Sequence, residues 1–355
     1  MGEIRVIDLK LDVTEAAGLG EPAHIAATIH LPPSDRLAER PIICFAKPGG
    51  GYSRGYYTYD LPGPAKGAQA EYHAERGWIF VSVDHLGVGE SSMHGDGKRL
   101  KPATLAAAAN DAERQILDRL GDGTLQSGYP KLVNPLKLGI GQSMGGMMTI
   151  IQQGRYHCYD GVAVLGYSAI HTHPQHEPGK TPFTPMWFTR DTQLDEPVMI
   201  TNQQAVAEAE LLANDAGKRF IWCFHYDDVD RDIAERDLLN FEMSYLPEQE
   251  RGGFTPSPWA SLSFPSATAA LSLSPGVVAP EAAAIRCPVL VAMGERDVIA
   301  EPKREPTAFL SANSIDLYIC PRMGHMHNFA STRVLFWDRI ASWASWVARE
   351  RATQF

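Results

Sequence analysis

Short, strongly apolar segments separated by helical patterns constrain the fold of this 355-residue chain more than any other feature. They are PIICFA (41–46), WIFVSVD (78–84), KLGIGQS (137–143), YDGVAVLGYS (159–168) and CPVLVAMGERD (287–297). Segments of this kind predict strands that are buried on both faces. Residues 103–120 place Ala109, Ala112 and Ile116 on one face of an amphipathic helix. Strands alternating with helices indicate a largely parallel sheet covered on both sides.

Three further strands complete the predicted sheet. Residues 3–14 and 23–32 alternate apolar and polar side chains, which suggests two half-exposed strands, and IDLYIC (315–320) is the last strand. Helices are expected at 145–154, near 302–312 and over 331–350. The total is eight strands.

A change of rhythm between residues 169 and 280 predicts an inserted helical cap. HTHPQHEPGKTPFTP is irregular, residues 205–226 and 232–246 have helical patterns, and a Ser/Pro/Ala-rich stretch follows at 255–276. We therefore expect a core domain formed by residues 1–168 and 281–355, and a cap formed by residues 169–280.

Charge and cysteine content favour a reduced, soluble protein. The chain has 42 acidic and 32 basic side chains and a formal net charge of -10, which argues against a nucleic-acid-binding or anionic-membrane-binding surface. Five scattered cysteines show no paired spacing and are expected to be free thiols. The N-terminal residues resemble a strand and not a signal peptide, so the cytoplasm is the expected compartment. The assembly state is left open, a homodimer included.

Ser143 is the candidate nucleophile. It lies in Gly141-Gln142-Ser143-Met144-Gly145, a G-x-S-x-G sequence that follows an apolar strand and opens a helix. Small residues on both sides allow backbone to pack against backbone in such a sharp turn. A Gly-rich turn without catalysis is the alternative, and the strand-to-helix context favours the nucleophile.

A serine hydroxyl needs a histidine to accept its proton and a carboxylate to orient that histidine. Where the serine occupies such a turn, the chain order is serine, acid, histidine. Asp297, just beyond a late strand, is the preferred acid over Glu295 and Glu301. His325 and His327 are the two histidines after Asp297; the turn through Pro321 and Gly324 favours His325, and His327 stays an alternative.

Together, GQSMGG, the GERD that ends in Asp297, the MGH of His325 and DHLGVGESS (84–92) resemble the α/β-hydrolase superfamily over nearly the whole chain outside the cap. The resemblance implies an α/β-hydrolase fold with a cap inserted after the sixth strand. It also implies an oxyanion hole formed by the Met144 amide and the loop Lys47-Pro48-Gly49-Gly50-Gly51, with Gly50 or Gly51 as the second donor. This loop is similar to the HGGG loop of esterases and lipases, but Lys47 stands where histidine is common.

Several other clusters are not expected to be sites. HTHPQH (171–176) and the acidic segment at 224–232 are interpreted as loop and helix-approach residues, not metal ligands. No nucleotide-binding or cysteine-based zinc pattern is present in the sequence, so no cofactor and no metal is predicted.

The predicted cap is rich in aromatic side chains, which favours a bulky apolar substrate. The candidate substrate-binding residues are Tyr52, Trp187, Phe188 and Trp222. We expect a serine hydrolase that cleaves a carboxylic ester or lactone through an acyl-enzyme. Cleavage of a C–C bond beside a ketone or of a thioester, and a non-catalytic small-molecule-binding protein on the same scaffold, are the alternatives.

Overall fold

A computed structural model describes residues 2–95, 97, 99–180, 188–190, 216–244, 246 and 248–353 of the chain. Its centre is one eight-stranded sheet with strand order β1-β2-β4-β3-β5-β6-β7-β8. The first two strands pair antiparallel, β2 also pairs antiparallel with β4, and every other pair is parallel. The predicted eight-stranded, mostly parallel sheet is confirmed.

The elements of the described residues follow the predicted order. The strands are β1 (Arg5–Asp12), β2 (His24–Leu31), β3 (Ile42–Lys47), β4 (Ile79–Val83), β5 (Leu136–Gln142), β6 (Gly161–Leu165), β7 (Val289–Gly294) and β8 (Ile315–Cys320). The helices are α1 (Thr14–Ala17), α2 (Gly55–Thr58), α3 (Gln69–Ala74), α4 (Pro102–Asp122), α5 (Met144–Tyr156), α6 (Ala216–Phe224), α7 (Arg231–Ser244), α8 (Ser266–Ser272), α9 (Ala279–Ala284) and α10 (Arg333–Thr353).

Two local expectations were wrong. The β2 strand is buried along nearly its whole length because it lies inside the sheet, between β1 and β4, with α3 and α4 packed against it. The helix expected near 302–312 is a 3₁₀ segment over Pro302–Ala308. Pro306 lies within that segment and has no N–H to donate, which disfavours a continuous α-helix.

The chain between β6 and β7 contains α6 to α9. The first two of these helices pack against each other, whereas α9 packs on α5 in the layer that covers the sheet. The boundary predicted at 280/281 therefore falls inside α9. The first half of the helix expected at 205–226 lies outside the described residues. Within the part of the chain that the structure describes, every helix is too short or too polar to span a lipid bilayer.

A buried histidine under β4 predicts acid sensitivity. His73 is fully buried on α3, between Trp78 (ring centroids 4.4 Å apart) and Phe80 (5.5 Å). Burial, with a smaller contribution from Arg76, lowers the pKa of His73 to about 3. The unfolded chain binds this proton near pH 6.5, so stability is present above that pH and is lost as the pH falls toward 3.

Replacing this histidine by phenylalanine is expected to remove that loss. Between pH 7 and 4.5, His73→Phe should retain about 2–3 kcal/mol of unfolding free energy that the parent chain loses. Urea unfolding at the two pH values measures the difference. The same replacement at exposed His176 is the control and should leave the pH dependence unchanged. Equal pH dependence in His73→Phe and the parent would contradict the assignment.

Candidate active site

Ser143 occupies a strained turn between β5 and α5. Its backbone has φ 53° and ψ -122°, a conformation that L-residues rarely adopt. The turn is held by its own amide, since the Ser143 N–H donates to the Leu165 carbonyl at 2.8 Å, and the Ser143 carbonyl accepts from Gly146 at 2.8 Å. The serine is partly exposed. Its side chain is therefore presented at the carboxyl edge of the sheet, where strands β5 and β6 end.

The flanking glycines are required by close backbone contacts. A Cβ on Gly141 would lie 2.0 Å from the Gly145 carbonyl oxygen, and a Cβ on Gly145 would lie 2.1 Å from the Lys47 carbonyl oxygen. Both distances are far inside van der Waals contact. The G-x-S-x-G spacing thus has the physical origin assumed from the sequence.

Asp297 lies just beyond β7 and is completely buried. Its Oδ1 accepts from Val298 N–H at 2.7 Å and from His325 Nδ1 at 2.6 Å. Its Oδ2 accepts from Gly294 N–H at 2.8 Å and from His327 Nε2 at 2.9 Å. Burial alone would raise the pKa of this carboxyl, but the two imidazoles and their hydrogen bonds outweigh burial and hold it well below its usual range. The group is an ionised acceptor of four N–H donors.

The His325 ring connects this carboxylate to the β5–α5 turn. Because the ionised carboxylate can only accept, His325 Nδ1 carries the proton, and in the neutral ring Nε2 carries the lone pair. Nε2 lies 3.3 Å from the Gln142 amide nitrogen, which also donates to the His325 carbonyl at 3.0 Å. Gln142 directly precedes Ser143, so Nε2 of His325 is held beside the β5–α5 turn.

The Ser143 hydroxyl has no hydrogen-bond partner within the described ranges. Bonds between a nucleophile and its base are often long before substrate binds and shorten in the reactive complex. The tautomer of His325 is the one that a general base next to Ser143 needs.

Asp297, His325 and His327 also have the residue types of a small metal site. Their separations argue otherwise, because ligand atoms around a tetrahedral zinc ion lie about 3.3 Å apart, given bonds of about 2.0–2.1 Å. The nitrogen–oxygen distances here are 2.6 and 2.9 Å, the lengths of direct hydrogen bonds. Both carboxylate oxygens are also engaged by main-chain N–H groups. The cluster is a hydrogen-bonded His–Asp–His arrangement.

The glycine loop after β3 faces the serine turn. A Cβ on Gly49 would lie 3.0 Å from Ser143 Cβ. Gly51 has φ +80° and closes a turn in which Tyr52 N–H donates to the Gly49 carbonyl at 3.3 Å. In the described part of the chain, no hydrogen bond is formed by the N–H groups of Met144, Gly50 or Gly51. Space is open around the Cα of Gly50, whereas the Phe241 ring packs on Gly51.

Two buried side chains hold this loop from below. Lys47 turns away from the site: Nζ forms an ion pair with Glu113 of α4 at 2.6 Å and donates to the Tyr159 hydroxyl at 2.7 Å. His85, whose pKa burial lowers to about 4, donates through Nε2 to the Pro48 carbonyl at 3.0 Å. Lys47 therefore anchors the loop, and its charge is paired with that of Glu113.

Tyr52, a predicted substrate-binding residue, is buried, and its hydroxyl donates to Asp237 Oδ2 at 2.6 Å. The same oxygen accepts from His225 Nε2 at 2.9 Å. Asp237 belongs to α7 and His225 directly follows α6, so Tyr52 connects the glycine loop to both helices. The sequence did not indicate this role, because its partners lie far along the chain.

Of the other three predicted substrate-binding residues, the two that the structure describes, Trp222 and Phe188, pack elsewhere. Trp222 is covered by the Arg296 guanidinium, 4.6 Å above its ring, and Tyr226 lies on the same cation at 4.2 Å. Phe188 packs at the edge of the core on the α5 side of the sheet. Trp187 lies outside the described residues.

Three phenylalanines between β6 and β7 cover the site instead. Phe224 lies against His325, with ring centroids 4.9 Å apart, and contacts both Phe220 (5.3 Å) and Phe241 (6.2 Å). The Phe241 ring packs on Gly51. All three belong to the aromatic-rich cap predicted from the sequence, but none was a candidate substrate-binding residue, because the sequence does not show which aromatic side chains reach the site.

The acidic segment after α6 docks on the loops that carry the acid and the histidine. Asp227 forms a bidentate ion pair with Arg296 at 2.6 Å, and Asp228 pairs with Arg322 at 2.5 Å. Main-chain bonds continue this contact, since His325 N–H donates to the Cys223 carbonyl at 2.7 Å. These aspartates are structural ion-pair partners of the two loops.

Comparison with known proteins supports the fold. No protein-family model matches the chain, and no curated protein matches its sequence. Solved structures do match. A bromoperoxidase from Bacillus anthracis aligns with TM-score 0.58 and 14% identity over 95% of this chain and 99% of its own. A thermophilic esterase from Thermogutta terrifontis aligns with TM-score 0.52 and 17% identity over 96% and 99%.

An enol-lactonase from Burkholderia xenovorans aligns with TM-score 0.51 and 14% identity over 92% of this chain and 96% of its own. With the strand order described above, these matches show that the chain has the α/β-hydrolase fold. The fold expected from the resemblance is confirmed.

Proposed function

We propose that this α/β-hydrolase-fold protein is a serine hydrolase that cleaves carboxylic esters or lactones with a bulky apolar acyl group. One observation carries the proposal. Ser143 stands at positive φ on the β5–α5 turn, beside a histidine whose other nitrogen is bonded to a buried, ionised aspartate. Esterases and an enol-lactonase among the structural neighbours are consistent with this chemistry.

The reaction follows from the roles of these groups. Ser143 Oγ attacks the carbonyl carbon while His325 Nε2 takes the hydroxyl proton, and Asp297 stabilises the imidazolium. The N–H groups of Met144 and of Gly50 or Gly51 donate to the oxyanion. His325 then protonates the leaving alkoxide, and the acyl-enzyme forms. Water, deprotonated by the same nitrogen, releases the acid and restores Ser143.

The apolar cover supports the proposed substrate class. Phe224 lies against His325, and Phe241 packs on Gly51. In the proposed reaction, the substrate carbonyl lies between His325 and the Gly51 loop, so the two rings border it on both sides. Burying apolar surface against such rings favours aromatic or branched acyl groups over acetyl, at about 25 cal/mol per Å². Residues 169–280 are proposed to act as the cap that supplies this cover.

A panel of p-nitrophenyl esters and aromatic lactones tests the proposal. We expect turnover with kcat/KM at least about tenfold higher for butyrate and phenylacetate than for acetate, since tenfold corresponds to about 1.4 kcal/mol. Phe241→Ala should reduce the preference, while exposed Val133→Ala should not. An absence of turnover throughout the panel would favour a binding protein, and a flat acyl profile would contradict the role of the aromatic cover.

A further inference from the structure

The Asp297 carboxylate accepts hydrogen bonds from two imidazoles. His327 Nε2 lies 2.9 Å from Oδ2, on the carboxylate oxygen opposite to the one that His325 uses. His327 is buried, and its ring packs on Phe336 with centroids 4.5 Å apart. Because the carboxylate only accepts, Nε2 of His327 is the donor, and in the neutral ring Nδ1 holds the lone pair.

The two imidazoles are not interchangeable. Their rings lie 6.2 Å apart at 76° to each other, and the free nitrogen of His325 faces Gln142 at the serine turn. The free nitrogen of His327, Nδ1, is buried and has no hydrogen-bond partner among the described residues. An unpaired acceptor is easier to tolerate in a protein interior than an unpaired donor, which agrees with this tautomer. His325 therefore faces the reaction, and His327 faces away from it.

The surroundings of His327 keep it uncharged. Burial lowers its pKa, against the opposing effects of the hydrogen bond and charge of Asp297. Asp297 and His325 are the titratable groups that face its ring in the described part of the chain, and the Tyr56 hydroxyl accepts from the main chain next to it, at Asn328 N–H (3.1 Å). An uncharged donor leaves the negative charge of Asp297 available to the imidazolium of His325.

We propose that His327 is a positioning residue, whose Nε2–H fixes Oδ2 of Asp297 so that Oδ1 stays in line with Nδ1 of His325. This inference rests on the proposed function, in which His325 is the general base. At metal centres, losing a partner that orients a ligand typically reduces activity by about 10- to 100-fold, and we expect a loss of similar size for this hydrogen-bonded group. The loss should fall on kcat, because His327 touches no substrate.

Two variants separate the hydrogen bond from the packing. His327→Phe keeps a ring against Phe336 but has no donor, whereas His327→Gln places an amide nitrogen near the position of Nε2. We expect kcat of the Phe variant to fall about 10- to 100-fold with KM within about twofold, and kcat of the Gln variant to stay within about fivefold of the parent. If circular dichroism shows His327→Phe to be unfolded, His327→Asn, whose shorter amide does not reach Oδ2, takes its place.

Proton NMR of the full chain with ¹⁵N-labelled histidine supplies a readout that does not depend on turnover. The parent should show downfield imidazole N–H signals from Nδ1 of His325 and Nε2 of His327, together with one from Nε2 of His225 on Asp237, which the His327 variants should leave unchanged. His327→Phe should lose the His327 signal and shift the His325 signal. His327→Gln should restore the position of the His325 signal.

A parent that turns over no ester would remove the proposed function, yet the shift and its rescue would still show that His327 positions the Asp297–His325 pair. An active parent whose non-donor variant has unchanged kcat and an unshifted His325 signal would overturn the inference. Equal impairment of the Gln and Phe variants would also overturn it, because packing and not donation would then be responsible.

Discussion

Replacing Ser143 by alanine is expected to reduce kcat for p-nitrophenyl butyrate by at least about 10⁴-fold, since the variant has no atom that can form the acyl-enzyme. The fold should survive, because alanine meets the same φ of 53° that serine already adopts at this turn. Thermal unfolding by circular dichroism checks that the variant is folded.

Ser82 provides a matched control for this variant. It is a fully buried serine on β4 whose hydroxyl has no partner among the described residues. Ser82→Ala should leave kcat within about twofold of the parent. If Ser143→Ala were to keep a tenth or more of the parent activity, another group would have to be the nucleophile.

The second large effect is expected at Asp297, where asparagine should lower kcat by about 10³- to 10⁴-fold. Each carboxylate oxygen accepts from a main-chain N–H, Val298 at Oδ1 and Gly294 at Oδ2. In either orientation, the NH₂ group of the asparagine side chain would therefore face a main-chain N–H, and two donors would meet. The variant also loses the negative charge that stabilises the His325 imidazolium.

Steady-state kinetics at neutral pH measure this loss. Glu301→Gln is the control, because Glu301 was one of the two competing acids in the sequence and is exposed, paired with Arg304 at 2.8 Å. It should retain the parent kcat. The reverse outcome, with an active Asp297→Asn and an inactive Glu301→Gln, would show that Asp297 is not the carboxylate that orients the histidine.

The pH dependence of stability should follow the same carboxylate. The folded pKa of Asp297 is held below its unfolded value of about 3.9, so its contribution is present above that pH and is lost as the pH falls through the folded value. Asp297→Asn should therefore lose stability at neutral pH and differ less from the parent in strong acid.

The sheet and the serine turn could be predicted because their signals are local. Buried strands show as short apolar segments, and the glycines around Ser143 are fixed by contacts within two neighbouring elements. The order of serine, acid and histidine then limited the search to a few side chains. The structure places Asp297 and His325 in hydrogen-bond contact, as that order suggested.

The remaining features depend on partners that are distant in the chain. The direction of Lys47 is set by Glu113, 66 residues later, and the hydroxyl of Tyr52 is taken by Asp237, 185 residues later. No local pattern reports such pairs. The chain order also does not distinguish His325 from His327, because both histidines reach the same carboxylate.

The most direct test of the central claim is mass spectrometry of the intact chain and its peptides after reaction with a fluorophosphonate. The account predicts a single phosphonyl adduct on the peptide that carries Ser143, and none in Ser143→Ala. Failure of the folded chain to form an adduct, or an adduct elsewhere that persists in Ser143→Ala, would contradict it.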